Sequence, residues 1–167
     1  MKTLVFSRYD KEENFEENVI FAGYWCVSRG GFRKQETFED NVVPPITNED
    51  LEPLVQKTYN NVFSAVCEKL NILHKTDLTS RHWKILIDSW LWKSCIVIEE
   101  TNYILEYAKN VFGCTEVIVD NYKYHSTCRD TASFITNWSK LEAFRSKYIT
   151  EIGAKKFNLK VKSYPKS

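Results

Sequence analysis

The chain has 167 residues, which is enough for one domain with a sizeable core and too few for two comfortable ones. Hydrophobic residues make up 43% and charged residues 27%, as in an ordinary soluble globular protein. The formal net charge is +1, so the totals predict no bulk electrostatic attraction to nucleic acid or to an anionic membrane. They argue against a nucleic-acid partner and indicate no particular function.

The cysteines and the N-terminus indicate the cellular compartment in which the protein is expected. Five cysteines lie far apart without a CxxC or CxxH spacing, so neither a zinc site nor a redox pair is indicated. The first apolar run is short and gives way to acidic residues, which is unlike a secretory signal. Charged residues inside the most apolar stretch argue against a transmembrane segment. We therefore expect a reduced, cytoplasmic protein with no metal and no cofactor.

Two short runs rich in β-forming residues open the chain, TLVFSRY at residues 3–9 and NVIFAGYWC at residues 18–26. The second is almost continuously apolar, as strands buried on both faces are. It ends at Trp25 and Cys26, a position where α/β sheets bind ligands. Cys26 is either a nucleophile or a plain buried cysteine; no His or acid lies near it in the sequence, which favours the buried cysteine.

The segment after this run contains the pair Gly30-Gly31, and a glycine pair after a buried strand often belongs to a ligand loop. One hypothesis is that Arg29, Arg33 and the glycine amides contact an anion or a sugar. The other, which we favour, is an ordinary charged surface loop. No GxGxxG or GxxxxGKS pattern supports nucleotide binding here.

Two long helices are predicted next. Thr47 has the properties of an N-cap, and apolar residues then recur at helical spacing from about Glu49 to Leu73. The stretch from Thr79 to Gly113 contains no proline, and its only glycine is the last residue, so about 33 residues can form one helix roughly 50 Å long. Its first half is apolar almost all round, which predicts that this half is buried.

Polar residues at the start of this second helix are candidates for function. Arg81 could hold a phosphate or carboxylate beside the free amides of the helix N-terminus, and His82 could act as an acid or base. The alternative is that Arg81 pairs with Asp77 and that His82 is a satisfied, half-buried side chain. Lys84 and Asp88, spaced i and i+4, are expected to neutralise each other, and the alternative is a catalytic carboxylate at Asp88.

A third strand is predicted at Glu116 to Asp120, a helical pattern from about Thr127 to Gly153, and a last strand at Leu159 to Tyr164. His125 follows the third strand in a polar cluster that is either a site or a loop, and we favour a loop. A strand, helix, strand order predicts an α/β fold with a small, mostly parallel sheet packed by long helices. We expect residues 1–167 to form a single domain of this kind.

Three segments together resemble a family of transferases encoded in bacterial O-antigen and related surface-polysaccharide loci. They are VIFAGYWC, the helix over Leu51 to Leu73 leading into a His, and LTSRHWKILIDSWL. The third is the most specific: it resembles the family's Ser-x-Arg-Tyr-Trp-Arg-Ile-Leu-x-Gly-Pro-Trp-Leu, although Asp88-Ser89 replaces the Gly-Pro. The resemblance covers about residues 18 to 120.

The resemblance implies a glycosyltransferase-like enzyme of surface-polysaccharide synthesis. Members of this family are longer, and the resemblance implies that the chain would correspond to the N-terminal lobe of a two-lobed glycosyltransferase, without the donor-binding lobe. On this basis Arg81 would hold an anionic group, Trp25 would stack on a sugar ring with Arg29 and Trp83 near the ligand, and His82 would be the base. The expected ligand is a sugar or sugar phosphate, and a partner chain could supply the second lobe. The alternative is a non-catalytic binding or assembly module that docks a partner chain.

Overall fold

The computed structural model describes residues 2–6, 18–26, 39–120 and 138–164. Its strands are β1 (Lys2–Val5), β2 (Val19–Phe21), β3 (Cys114–Asp120) and β4 (Lys160–Tyr164), and its long helices are α1 (Asn48–His74), α2 (Ser80–Asn110) and α3 (Trp138–Tyr148). Short 3-10 turns lie at Tyr24–Cys26 and Glu39–Asn41, and a π-helical turn at Ile149–Gly153 leads into a single α-helical turn at Ala154–Lys156.

The chain divides into two compact units. We call the first the sheet unit; it comprises Met1–Pro45, Thr101–His125 and Ala143–Ser167. The second, the helical unit, comprises Ile46–Glu100 and Ser126–Glu142. Helix α2 begins in the helical unit and ends in the sheet unit.

The sheet unit contains a parallel sheet with strand order β2-β1-β3-β4. Leu4 pairs with Ile20 on one side and with Val117 on the other, and all three side chains are buried in one core. Leu105 and Ala108 of α2 add to the same core. The predicted α/β fold with a small parallel sheet packed by long helices is confirmed.

Strand β4 stands at one end of the sheet order and carries two lysines, Lys160 and Lys162. The ammonium group of Lys162 lies 2.6 Å from a carboxylate oxygen of Glu116, which is buried on β3. The pair therefore neutralises a carboxylate that the sheet removes from water.

The helix boundaries follow local sequence signals. The Thr47 hydroxyl accepts a hydrogen bond from the Asp50 amide at 3.2 Å, as predicted for an N-cap. Helix α1 ends at Lys75, which has a positive φ of 54°. After α2, Gly113 has a φ of 70°, a conformation that costs glycine little, so the predicted stop is confirmed.

The first half of α2 is buried only in part, whereas the sequence predicts burial throughout. Ile85 and Leu86 are largely exposed, whereas Trp83, Leu91 and Cys95 are buried. In the described part of the helical unit, α1 packs against α2 through Leu51, Val55 and Tyr59. The exposed residues of α2 lie mainly in its first two turns, and from Ile87 to Ile98 every residue except Ser89 is buried or partly buried. No helix in the described ranges is both long and apolar enough to cross a bilayer.

Candidate functional site

The carboxyl edge of the sheet has the topology of a ligand-binding site. The chain moves from β1 outward to β2, and from β3 outward to β4, so the strand order reverses between β1 and β3. In open parallel sheets, ligands bind beside the carboxyl ends of the strands at such a reversal. The chain after β1 and after β3 soon passes into residues 7–17 and 121–137, which lie outside the described ranges. The described part of this edge is the segment after β2.

Residues 22–26 turn sharply after β2. The Ala22 amide donates to the Val5 carbonyl at 3.0 Å, and the Cys26 amide donates to the Gly23 carbonyl at 3.1 Å. The second strand is therefore shorter than predicted, since the chain leaves the sheet at Ala22 and forms a 3-10 turn over Tyr24–Cys26. This turn places Tyr24 and Trp25 at the surface and Cys26 in the core.

The indole of Trp25 is held between two contacts. A Cβ atom built on Gly23 would lie 2.1 Å from the Trp25 ring, so the ring rests directly on the glycine backbone. The guanidinium carbon of Arg145, from α3, lies 5.6 Å from the ring centroid, within the range of a cation–π contact. Arg145 is buried, whereas Trp25 remains 39% exposed. The result is an oriented aromatic surface beside a positive charge at the carboxyl edge.

Arg145 was missed by sequence reasoning. It lies in the third helix, far along the chain from Trp25, and no local spacing links the two residues. A buried arginine over an aromatic ring is a tertiary contact that only the packed sheet unit reveals.

Cys26 has the properties of a structural cysteine. Its side chain is completely buried, and its thiol donates to the Val5 carbonyl at 3.3 Å. Reactive thiols are usually partly exposed and lie in positive surroundings. These contacts agree with the buried cysteine that the sequence favoured.

The start of α2 holds three more predicted site residues. Arg81 and His82 are exposed, and Nδ1 of His82 lies 2.8 Å from the Thr79 hydroxyl. Trp83 is buried; its indole N–H donates to the Asn71 side chain at 2.9 Å, and its ring lies 6.0 Å from that of His74. The indole of Trp83 therefore has a structural role in the helical unit.

Asp88 has a different partner from the one predicted. It accepts a hydrogen bond from the Tyr59 hydroxyl, which links α2 to α1, whereas the sequence paired it with Lys84. Burial, and next the hydrogen bond to Asp88, raise the pKa of Tyr59 above its usual value. Tyr59 therefore remains a hydrogen-bond donor to Asp88 throughout the physiological pH range.

The structure places the predicted residues in two groups. Arg81, His82 and Trp83 lie on consecutive positions in the helical unit, and Trp25 lies in the sheet unit. Arg29, Arg33, the Gly30-Gly31 pair and His125 lie outside the described residues. No group of three or more His, Cys, Asp or Glu side chains in the described ranges is arranged to hold a metal ion.

Comparison with known proteins identifies the class. Residues 2–165, nearly the whole chain, match the profile of a family of transferases, which move a chemical group from a donor to an acceptor. The chain belongs to the LIC12162 family of transferases. No curated protein and no solved structure shows a significant match to it. The transferase class predicted from the three sequence segments is confirmed, and the surface-polysaccharide context stays a prediction.

Proposed function

We propose that this transferase moves a sugar in surface-polysaccharide synthesis and that the carboxyl edge of the sheet unit holds a sugar or sugar phosphate. The observation that carries the proposal is the exposed, oriented indole of Trp25 beside Arg145. In the proposed reaction, the bond from the sugar to the donor phosphate breaks while a bond to an acceptor hydroxyl oxygen forms. The hydroxyl proton passes to a base, and the phosphate leaves with the bonding electrons.

The chemistry of the edge supports a sugar ligand. A pyranose ring has an apolar face of C–H groups, which pack on an aromatic ring, and ligand sites combine such apolar surfaces with a few polar groups. Gly23 and Arg145 fix the orientation of the Trp25 ring before a ligand arrives, which lowers the entropy cost of binding.

The resemblance described above suggests which part of the enzyme this chain would supply. The chain would supply the acceptor side of a two-lobed enzyme, and a donor-binding lobe would come from outside these 167 residues. In the helical unit, Arg81 is separately proposed to hold an anionic group and His82 to act as a base. Both side chains are exposed, which such contacts require.

Saturation-transfer NMR with a panel of sugar phosphates and nucleotide sugars tests the proposal. At least one compound should bind, and Trp25→Ala should weaken its binding about tenfold or more, because the stacking surface is lost. Trp25→Phe keeps an aromatic ring and should retain part of the affinity. Weaker binding of an anionic compound by Arg81→Ala, measured as a separate experiment, would support the contact proposed for Arg81.

The opposite edge of the sheet supplies a matched control. There the Lys2 ammonium lies 5.7 Å from the centroid of the Phe112 ring, a second cation–π contact but at the amino ends of the strands. Phe112→Ala should leave ligand binding unchanged. A panel without any binding, or equal losses from Phe112→Ala and Trp25→Ala, would overturn the proposal.

A further inference from the structure

The end of the α1–α2 hairpin exposes an unusual amount of apolar surface. We call residues 69–86, the last turn of α1, the connection and the first turns of α2, the hairpin tip. Ile72 and Leu73 are both 73% exposed, Ile85 is 78% exposed and Leu86 is 57% exposed. All four belong to the helical unit. Single exposed apolar residues are common, but four large ones on one short segment indicate an interaction surface.

The same segment is basic. It carries four cationic residues, Lys69, Lys75, Arg81 and Lys84, against the single acid Asp77, a local charge of +3 (four minus one). All five side chains are exposed. The end of the hairpin is therefore strongly cationic, although the net charge of the whole chain is only +1.

The tip is ordered by one network of hydrogen bonds around Asn71, which is partly buried. The side-chain oxygen of Asn71 accepts hydrogen bonds from the Leu78 amide at 3.0 Å, the Thr76 hydroxyl at 3.0 Å and the Trp83 indole at 2.9 Å. Its side-chain nitrogen donates to the Leu78 carbonyl at 2.9 Å. Because the connection is fixed in this way, the exposed apolar and basic groups need little further ordering when they bind.

We propose that the hairpin tip docks on the surface of a bilayer that contains anionic lipids. The four apolar side chains enter the boundary between headgroups and acyl chains, and the three lysines contact the lipid phosphates. This combination favours a membrane over a protein partner, since lysine is depleted in protein interfaces whereas basic residues beside Leu and Ile are typical of membrane-surface segments. The proposal concerns the helical unit and does not depend on sugar binding at the sheet edge.

Co-sedimentation of the full chain with lipid vesicles tests the docking. Vesicles with about one third phosphatidylglycerol in phosphatidylcholine should bind the chain, pure phosphatidylcholine should bind it far more weakly, and added salt should release it. Lys84→Gln should weaken binding about fivefold, and so should Lys75→Gln. The double variant Ile85→Ser/Leu86→Ser should weaken it about tenfold or more, and Ile72→Ser/Leu73→Ser provides an independent pair on α1.

Controls come from exposed positions of the sheet unit. Val111→Ser, Ile152→Ser and Lys155→Gln remove comparable side chains and should leave vesicle binding unchanged. Circular dichroism establishes that each variant is folded. The proposal is overturned if anionic vesicles do not bind, or if these controls weaken binding as much as the tip variants do. It is also overturned if sedimentation velocity shows self-association that the Ile85→Ser/Leu86→Ser variant abolishes, since the surface would then join two copies of the chain.

Discussion

At the scale of single residues, Asn71 organises more structure than any other polar side chain described at the hairpin tip. Its amide satisfies the Leu78 amide and carbonyl, the Thr76 hydroxyl and the indole N–H of Trp83. The indole donor belongs to a buried side chain, so losing its acceptor leaves a polar group without compensation.

Asn71→Ala should lower the free energy of unfolding by about 2 kcal/mol, because these donors and the carbonyl lose their partner. Urea denaturation followed by circular dichroism measures the change. Asn60→Ala is the matched control: Asn60 lies on the same helix, is exposed and accepts one bond from Gln56. Both substitutions gain helix propensity, so a difference close to zero between them would contradict the role assigned to Asn71.

A second prediction at the scale of single residues concerns Gly23. Gly23→Ala places a methyl group where the Trp25 ring lies, so the ring must leave its position against the Gly23 backbone. We expect a loss of about 1–3 kcal/mol in stability and a shifted indole N–H resonance for Trp25, assigned by its absence in Trp25→Phe.

Gly113→Ala is the control for this substitution. It strains a residue with positive φ, but its Cβ meets no atom within 4 Å, so the Trp25 resonance should stay in place. An unmoved resonance in Gly23→Ala would show that the ring does not depend on the glycine.

At the scale of elements, α1 and α2 are joined by polar contacts as well as by apolar packing. Tyr59 donates to Asp88, and the Thr58 hydroxyl donates to Glu99 at 2.7 Å. The Tyr59 ring also packs against Phe63 and Trp92. Since both acceptors are carboxylates, these bonds are stronger than bonds between neutral groups.

Tyr59→Phe keeps the ring packing and removes the hydroxyl, so it should cost about 1–3 kcal/mol. A double-mutant cycle with Asp88→Asn measures the coupling, which should account for most of this loss. Tyr107→Phe is the control, because the Tyr107 ring packs against Tyr103 and Phe112 and no hydrogen bond of its hydroxyl enters this network. Additive effects of the two changes would refute the link between Tyr59 and Asp88.

Helix positions were predictable from the sequence, and helix exposure was not. Thr47 and Gly113 mark ends through local backbone chemistry, which a sequence displays directly. The burial of α2 depends on how many elements surround it, and hydrophobic periodicity does not give that number. Ile85 and Leu86 are exposed for this reason, and the same exposure led to the docking surface proposed above.

At the scale of the whole molecule, the strand order could not be derived from the sequence. The alternation of strands and helices predicts a parallel sheet, but which strands become neighbours depends on pairings distant in the chain. Strand β1 pairs with β3, although β2 and the two long helices lie between them in the chain. This pairing creates the strand-order reversal at the carboxyl edge. Trp25 is predicted at that edge because it lies at the end of the second apolar run, whereas Arg145 reaches it only through the tertiary fold.

The stability of the whole chain should fall at alkaline pH. Burial raises the pKa of Cys95 from 9.0 to about 11, and that of Cys114 likewise to about 11. The burial of a protonated thiol stabilises the folded state without loss below pH 9, where the thiol is protonated in both the folded and the unfolded chain. This contribution is lost as the pH rises towards 11, because the unfolded chain ionises first.

Urea denaturation at pH 8 and at pH 10.5 measures this loss in the free energy of unfolding. Each thiol should contribute up to about 1.4 kcal/mol per pH unit to it. Cys114→Ala should flatten the dependence relative to the unchanged chain. A dependence that keeps its slope in Cys114→Ala would exclude this thiol as a cause. Both thiols should also resist alkylation in the folded protein at neutral pH, because the thiolate is the reactive form.

The two lysines of β4 have a consequence for how the protein behaves when concentrated. A strand at the end of a sheet offers unpaired backbone groups that can template the addition of a strand from another chain. Lys160 and Lys162 stand along that strand, and bringing two such strands together would bury and oppose their charges. The same side chain that neutralises Glu116 thus also guards against aggregation, so replacing both lysines by threonine should favour fibrillar association.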